Sequence, residues 1–174
     1  MLERDRLRQR VSRAYGQILT YFPALARSWG RRFDAITSEQ VPFVRLRKPL
    51  HTCRLALVTT GGVHLRTQPP FDMGDSRGDA SLRAIPPAAS AEQLMITHDY
   101  YDHRDAERDL NILFPLALGH ELVARGVLGG LGTGYSFMGH IEPPHLTTLL
   151  QRTAPEVAQR LRQEQIDAVL LTPA

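Results

Sequence analysis

The sequence predicts an α/β domain with a mainly parallel sheet flanked by helices, preceded by an N-terminal helical arm. Residues 54–60 are apolar on both faces, which is typical of a central strand covered by helices. Residues 168–171 form a second apolar run, which follows a helical segment and is predicted to be a buried strand. Strands that alternate with helices along a chain indicate a parallel α/β sheet.

We expect two parts, a helical arm over residues 1–41 and an α/β domain over residues 42–174. With 174 residues, of which 43% are hydrophobic, the chain can bury one sizeable core. Apolar residues recur at helical spacing over residues 3–22, Pro23 ends that helix, and a second helical piece covers residues 24–33. This amphipathic arm is expected to pack on the body or on a second protomer.

Several shorter elements are predicted inside the α/β domain. Residues 81–85 and 93–97 have the composition of strands, and residues 111–114 that of a short extended piece. Residues 116–125 form a helix, which Gly126 ends in the left-handed conformation. Residues 65–90 are rich in proline and glycine, and a loop of that length is usually functional or disordered.

The C-terminal third is predicted to contain two helices before the last strand. Pro143 and Pro144 open the first, which reaches about Arg152. Thr153 and Glu156 have the spacing of a capping box that begins the second helix. Between residues 129 and 139, glycines interrupt the chain and no strand is predicted.

Composition excludes several classes of protein. A formal net charge of +3 is too small to indicate nucleic-acid binding. Cys53 is the only cysteine, so neither an internal disulfide nor a multi-cysteine zinc site can form, and we interpret it as a small buried apolar residue. No apolar stretch approaches the roughly 20 residues that span a bilayer. A cytoplasmic protein without membrane contact is therefore expected.

The densest polar cluster runs from His98 through Asp102 to His103 and follows the strand predicted at residues 93–97. Imidazoles and carboxylates this close together can bind a metal or exchange protons. The spacing approaches the ligand pattern of metallo-β-lactamase-like hydrolases, but Tyr100 stands where that pattern needs a histidine. A metal-dependent hydrolase that uses His140 with these residues is one alternative, and a hydrogen-bonded loop is another.

A second candidate is the turn after the first strand, formed by Thr59, Thr60, Gly61 and Gly62 and followed by His64. Glycines allow a ligand to approach the backbone closely, and hydroxyls with free amides could hold a carboxylate. The spacing matches neither a dinucleotide fingerprint nor a phosphate loop. A simple tight turn is the alternative.

A third candidate is the segment around Tyr135, Ser136 and His140, which mixes aromatic and polar side chains without helical periodicity. Phe137 and Met138 in the same segment are expected to be packing residues. The other three side chains could face a pocket and contact substrate.

Seven segments of the chain occur in the same order as in a known family: residues 58–65, 68–72, 78–85, 98–106, 111–115, 135–139 and 167–173. Over residues 42–174 the chain resembles the selenoprotein B family, which is component B of glycine, sarcosine, betaine and D-proline reductases. In that family, the strand that resembles residues 167–173 leads into a selenocysteine or cysteine.

The resemblance implies a reductive C–N cleavage. A selenolate or thiolate attacks a substrate carbon and displaces an amine, and a dithiol finally supplies the electrons. Ala174 corresponds to the position at or just before this nucleophile, so the chain is expected to lack it and to be inactive alone. Translation or gene prediction that stopped at a selenocysteine UGA codon is our explanation.

The resemblance also implies partners and residue roles. We expect a small amine or amino-acid substrate, a thioredoxin-like or dithiol electron donor and other reductase subunits, with homo-oligomers as a further expectation and no bound cofactor or metal. The turn at residues 59–62 would anchor a substrate carboxylate. His64, His98 and His103 would donate protons or orient substrate, and Asp102 would fix a histidine tautomer. A non-catalytic subunit is the remaining alternative.

Overall fold

The computed structural model describes residues 44–174, residues 21–31 and, before them, Val11 and Ile18. The chain divides into two units. One comprises Lys48–His98 and His103–Ala174, and the other comprises the residues up to Arg47 with Asp99–Asp102. The arm boundary expected at residue 41 stays a prediction.

Helix α1, Pro23–Gly30, is the described helix of the arm. Phe22 is not helical and Tyr21 is, so the chain breaks its helical course just before Pro23, where the sequence predicted a break. Most of the helix predicted over residues 3–22 lies outside the described residues. Tyr21, Phe22 and Leu25 expose more than half of their surface.

Strand β1, Arg54–Thr59, is the centre of the main sheet. Strand β7, Ala168–Thr172, pairs with it in parallel along one side. Its other side pairs in parallel with two short strands, and a third short strand lies antiparallel beyond them. These three are β5 (Gly130–Leu131), β6 (Gly134–Ser136) and β3 (Arg83–Ile85). The strand predicted within residues 81–85 is confirmed, whereas β6 was missed because it is only three residues long and begins with a glycine.

A separate two-stranded antiparallel sheet is formed by β2, Val63–Leu65, and β4, Leu94–Ile96. The strand predicted over residues 93–97 therefore exists, but it does not belong to the main sheet. The cluster that starts at His98 consequently does not follow a strand of the parallel sheet.

Helices cover both faces of the main sheet. On one face, Tyr135 and Phe137 pack against Val157. On the other face, a Cβ atom at Gly119 would lie only 3.1 Å from the Leu131 side chain, so a helix sits directly on β5. The helices of this unit are α2 (Arg104–Arg108), α3 (Leu116–Ala124), α4 (His145–Thr148) and α5 (Ala154–Gln163). The predicted α/β class with mainly parallel strands is confirmed.

Three predicted local features are wrong. Residues 111–114 are not extended, because Leu110–Ile112 form a 3₁₀ turn that the Asp109 carboxylate caps through the Asn111 amide. The capping box at Thr153 does not form, because α4 continues into α5 through a π-helical turn, Leu149–Thr153. Thr153 is helical and makes no capping hydrogen bond.

The third error concerns β7, which was expected to be buried. Val169, Leu170 and Leu171 are between 40% and 70% exposed. An apolar run predicts a strand but not its place in the sheet, and β7 is an edge strand in the described part of the chain. None of the described helices combines the length and the apolar character that crossing a bilayer requires.

The long loop between β2 and β3 is ordered by one arginine. The Arg83 guanidinium lies 4.3 Å from the centre of the Phe71 ring and donates hydrogen bonds to the carbonyl oxygens of Pro69 and Pro70. The Asp79 carboxylate accepts the amides of Asp72 and Ser81. These contacts hold the loop against the sheet.

Candidate functional site at the carboxyl end of β1

The carboxyl end of β1 brings three strands together. Thr59 lies beside Ser136 of β6 on one side and beside Thr172 of β7 on the other. In open α/β sheets, ligands bind beyond the carboxyl ends of parallel strands. We therefore call residues 59–62, His98, Gly139 and 172–174 the carboxyl-edge site.

The backbone amides of the turn after β1 are all used inside the protein. The Thr60 amide donates to the Thr172 carbonyl oxygen at 3.2 Å, and the Gly61 amide to the Thr59 hydroxyl at 3.0 Å. The Gly62 amide donates to the Phe137 carbonyl oxygen at 3.0 Å. A substrate carboxylate could use these amides only by displacing one of these acceptors.

Gly62 is required by close packing. Its φ is +68°, and a Cβ atom there would lie 2.6 Å from the Thr97 carbonyl oxygen and 2.9 Å from the His98 Cβ. The Thr97 amide in turn donates to the Gly62 carbonyl oxygen at 3.0 Å. The glycine therefore lets the end of the small sheet lie directly against the turn after β1.

His98 connects this turn to the segment after β6. It is 4% exposed, and its Nε2 accepts a hydrogen bond from the Gly139 amide at 3.2 Å. An amide can only donate, so Nε2 carries no proton in this arrangement and the proton of the neutral ring is on Nδ1.

The end of the chain lies at the same place. The Ala174 amide donates to the Thr60 hydroxyl at 3.1 Å. Thr172 is held by its hydroxyl, which donates to the Leu113 carbonyl oxygen at 2.6 Å, and by its carbonyl oxygen, which accepts from the Thr59 hydroxyl at 3.1 Å. Position 174 is thus fixed beside the threonine-glycine turn.

His64 is held inside the small sheet. It is 1% exposed, and its Nδ1 donates to the Leu65 carbonyl oxygen while its Nε2 accepts from the Thr97 hydroxyl, both at 2.8 Å. Burial lowers the pKa of His64, because the charged ring would lose its hydration. The catalytic role predicted for His64 would require one of these two contacts to break.

Tyr135 and Ser136 occupy different environments. The Tyr135 hydroxyl donates to Glu164, which follows α5 and lies towards the amino end of β7 rather than at the carboxyl edge. Burial is the main reason why the pKa of Tyr135 is raised. The Ser136 side chain is fully buried, and its hydroxyl has no hydrogen-bond partner among the described residues.

His140 is hydrogen-bonded to the long loop between β2 and β3. Its Nε2 lies 3.0 Å from the Ser76 carbonyl oxygen and therefore donates to it. Nearby, His145 lies 2.9 Å from the Asp75 carboxylate, and the hydrogen bonds from Arg77 and then from His145 hold the pKa of Asp75 well below its usual range. The substrate contact predicted for His140 stays a prediction.

The two remaining predicted residues, Asp102 and His103, both precede α2 in the sequence. His103 precedes this helix, and its Nδ1 lies 2.9 Å from the Glu107 carboxylate. Asp102 is half-buried and belongs to the unit that contains the arm. Within the described part of the chain, no three His, Cys, Asp or Glu side chains are grouped closely enough to hold a metal ion. The hydrolase alternative thus gains no geometric support.

Cys53 lies at the opposite end of β1. It is fully buried, and its sulfur lies 3.4 Å from the Pro49 carbonyl oxygen and 3.6 Å from that of Lys48. This agrees with the interpretation of Cys53 as a small buried residue. The sole thiol of the sequence is therefore remote from the carboxyl-edge site.

Sequence reasoning missed the residues that order the long loop. Asp79 and Arg83 are mostly buried and lie 3.9 Å apart. Burial opposes ionisation of Asp79, but hydrogen bonds from Ser81 and Asp72 outweigh it and lower the pKa. Asp79 and Arg83 stand four residues apart in a proline-rich loop, and this spacing was the signal that could have identified them.

The fold and this edge define an α/β protein with a polar site beyond the central strand. No family model and no solved structure matches the chain. The chain is 36% identical, over 126 residues, to the gamma subunit of D-proline reductase from Acetoanaerobium sticklandii. The aligned region covers 72% of this chain and 50% of that protein, so the chain spans about half the length of this relative. The chain is thus similar to part of a reductase subunit, and its assignment to the selenoprotein B family stays a prediction.

Proposed function

We propose that this chain is the scaffold of a selenolate- or thiolate-dependent reductase that cleaves a C–N bond of a small amine or amino acid. The observation that carries the proposal is the position of Ala174, whose amide is bonded to Thr60 at the carboxyl edge of the sheet. The relative named a D-proline reductase subunit supports the reaction class.

The proposed nucleophile comes from polypeptide outside this sequence. Cys53 is the sequence's only cysteine and is buried at the far end of β1. A nucleophile that follows Ala174, or one from another subunit, would act beside Thr60 and His98. We also propose that the protein acts together with other reductase subunits and is located in the cytoplasm.

The proposed reaction has three steps. The selenolate or thiolate forms a bond to the substrate carbon, and the C–N bond breaks with its electron pair and a proton going to nitrogen. A thiolate then attacks the selenium or sulfur, and the carbon leaves with the electron pair and takes up a proton. A dithiol, free or in a thioredoxin-like protein, reduces the resulting bond and becomes a disulfide. His98 and His103 are the proposed proton donors or orienting groups, and Asp102 is proposed to fix a histidine tautomer.

The variant Ala174→Cys tests the proposal by placing a thiol at the edge. With D-proline and a dithiol, we expect slow formation of a product two hydrogens heavier, detected by mass spectrometry. The wild-type chain is the matched control, because its one thiol is buried, and it should give no product.

Two results would contradict the proposal. One is product formation by the wild-type chain, which would make an added chalcogen unnecessary. The other is an Ala174→Cys thiol that gives no product and that iodoacetamide alkylates no faster than free cysteine at the same pH.

A further inference from the structure

A groove of about 620 Å³ lies beside β3, between that strand and the helical stretch from α4 to α5. Leu82 and Ala84 form its apolar wall, and both pack on the core cluster around Tyr135. This volume lies within the range of small-molecule sites. The groove is therefore large enough for an amino acid and has an apolar surface for its hydrocarbon part.

The groove opens at the same end of the sheet as the carboxyl-edge site. Because β3 runs antiparallel to β6 and pairs Arg83 with Ser136, the residues that precede β3 lie at the carboxyl end of β6. Helix α4 begins at this end, where His145 contacts Asp75, and α5 leads back towards the amino end of β7. Ser81 and Thr148, which line the groove, therefore lie towards the carboxyl edge.

Charges of both signs border the groove. Arg152 lines it, and its guanidinium makes no ion pair or hydrogen bond with any described side chain. Glu156 lies one turn further along the helix and carries an ion pair with Arg160. A planar guanidinium suits a carboxylate, and a nearby carboxylate suits an ammonium group.

The π-helical turn leaves a hydroxyl unsatisfied at this wall. Thr153 lines the groove and is 8% exposed, and its hydroxyl has no partner among the described residues. The Ala154 amide bonds five residues back to the Leu149 carbonyl oxygen, so the turn is π-helical here. Such turns are rare, occur often at functional sites and keep an unpaired polar group only at a cost in free energy.

We infer that this groove binds a small zwitterionic amino acid, with Arg152 pairing with its carboxylate and Glu156 receiving its ammonium group. The inference rests on the proposed function for the reaction, and it names the substrate class and where that substrate is held. It also gives the carboxylate a cationic partner, which the fully bonded amides of residues 60–62 do not offer.

Calorimetric titration of the full chain with three probes tests the inference. D-proline carries both charges, pyrrolidine lacks the carboxylate and acetate lacks the amine. We expect D-proline to bind the wild-type chain more tightly than either of the others. Arg152→Gln should weaken D-proline binding about tenfold to a hundredfold, as expected for the loss of a charge-assisted pair. Arg162→Gln, an exposed arginine of α5 outside the groove, is the matched control and should bind normally.

Equal binding by Arg152→Gln and Arg162→Gln, or binding of pyrrolidine as tight as that of D-proline, would overturn the inference. Since binding is measured without turnover, an inactive Ala174→Cys protein would count against the proposed function and leave this test intact.

Discussion

The two ends of β1 are both densely bonded, but with different chemistry. At the amino end, the Asp167 carboxylate lies 2.7 Å from the Lys48 ammonium group and accepts the Arg54 amide at 3.0 Å. At the carboxyl end, hydroxyls and backbone amides make the contacts, as between Ala174 and Thr60. A charged pair therefore tethers β7 at one end, while neutral hydroxyls and amides make the contacts at the other.

The sharpest test of this comparison is Gly62→Ala at the carboxyl end. The added Cβ would meet the Thr97 carbonyl oxygen at 2.6 Å and would also require an unfavourable φ of +68°. Steric and conformational costs together predict a loss of about 3 kcal/mol in the free energy of unfolding. Urea denaturation measures it.

Gly126→Ala is the matched control for this effect. Gly126 has almost the same φ, +70°, but a Cβ atom there would meet nothing within 4 Å. It should lose only about 1 kcal/mol, which is the conformational cost alone. Equal losses in the two variants would show that the contact between the turn and the small sheet does not constrain the site.

The pH dependence of stability tests whether His64 is neutral in the folded chain. The pKa of His64 is lowered by burial, so the unfolded chain takes up a proton near its ordinary value of about 6.5 while the folded chain does not. The contribution of neutral His64 to the free energy of unfolding is therefore fully present above about pH 6.5. It is lost as the pH falls from there towards the pKa of His64 in the folded chain.

Thermal melts between pH 7.5 and 5 should show this decline, and His64→Gln should reduce it. A decline that is identical in wild type and His64→Gln would show that another group is responsible.

Sequence patterns predicted those parts of the fold that depend on local chemistry. The apolar runs at β1 and β7 and the left-handed Gly126 at the end of α3 follow from residue type alone. β6 and the edge position of β7 could not be predicted, because both depend on which strands pair. The sequence also could not predict that the amides of Thr60 and Gly62 are hydrogen-bonded, because their acceptors, Thr172 and Phe137, are distant in sequence.

The smallest expected effect is at the amino end, where Asp167→Asn removes the charge and keeps the shape. Hydrogen bonding from Lys48, followed by that from the Arg54 amide, lowers the pKa of Asp167. The contribution of this carboxylate is therefore present above its ordinary pKa of about 3.9 and is lost as the pH falls through the lowered value. Because Lys48 is exposed, salt screens its attraction to Asp167. Asp167→Asn should therefore be less destabilising than Gly62→Ala. The stability of the Asp167→Asn variant should also no longer depend on salt concentration through this pair.

Lys48→Met tests the same pair from the other side and should reproduce the loss of salt dependence. Melting temperatures in low and high salt measure both variants. A larger destabilisation by Asp167→Asn than by Gly62→Ala would reverse the comparison, because it would place the main constraint on β7 at its charged amino end rather than at the neutral turn beside Ala174.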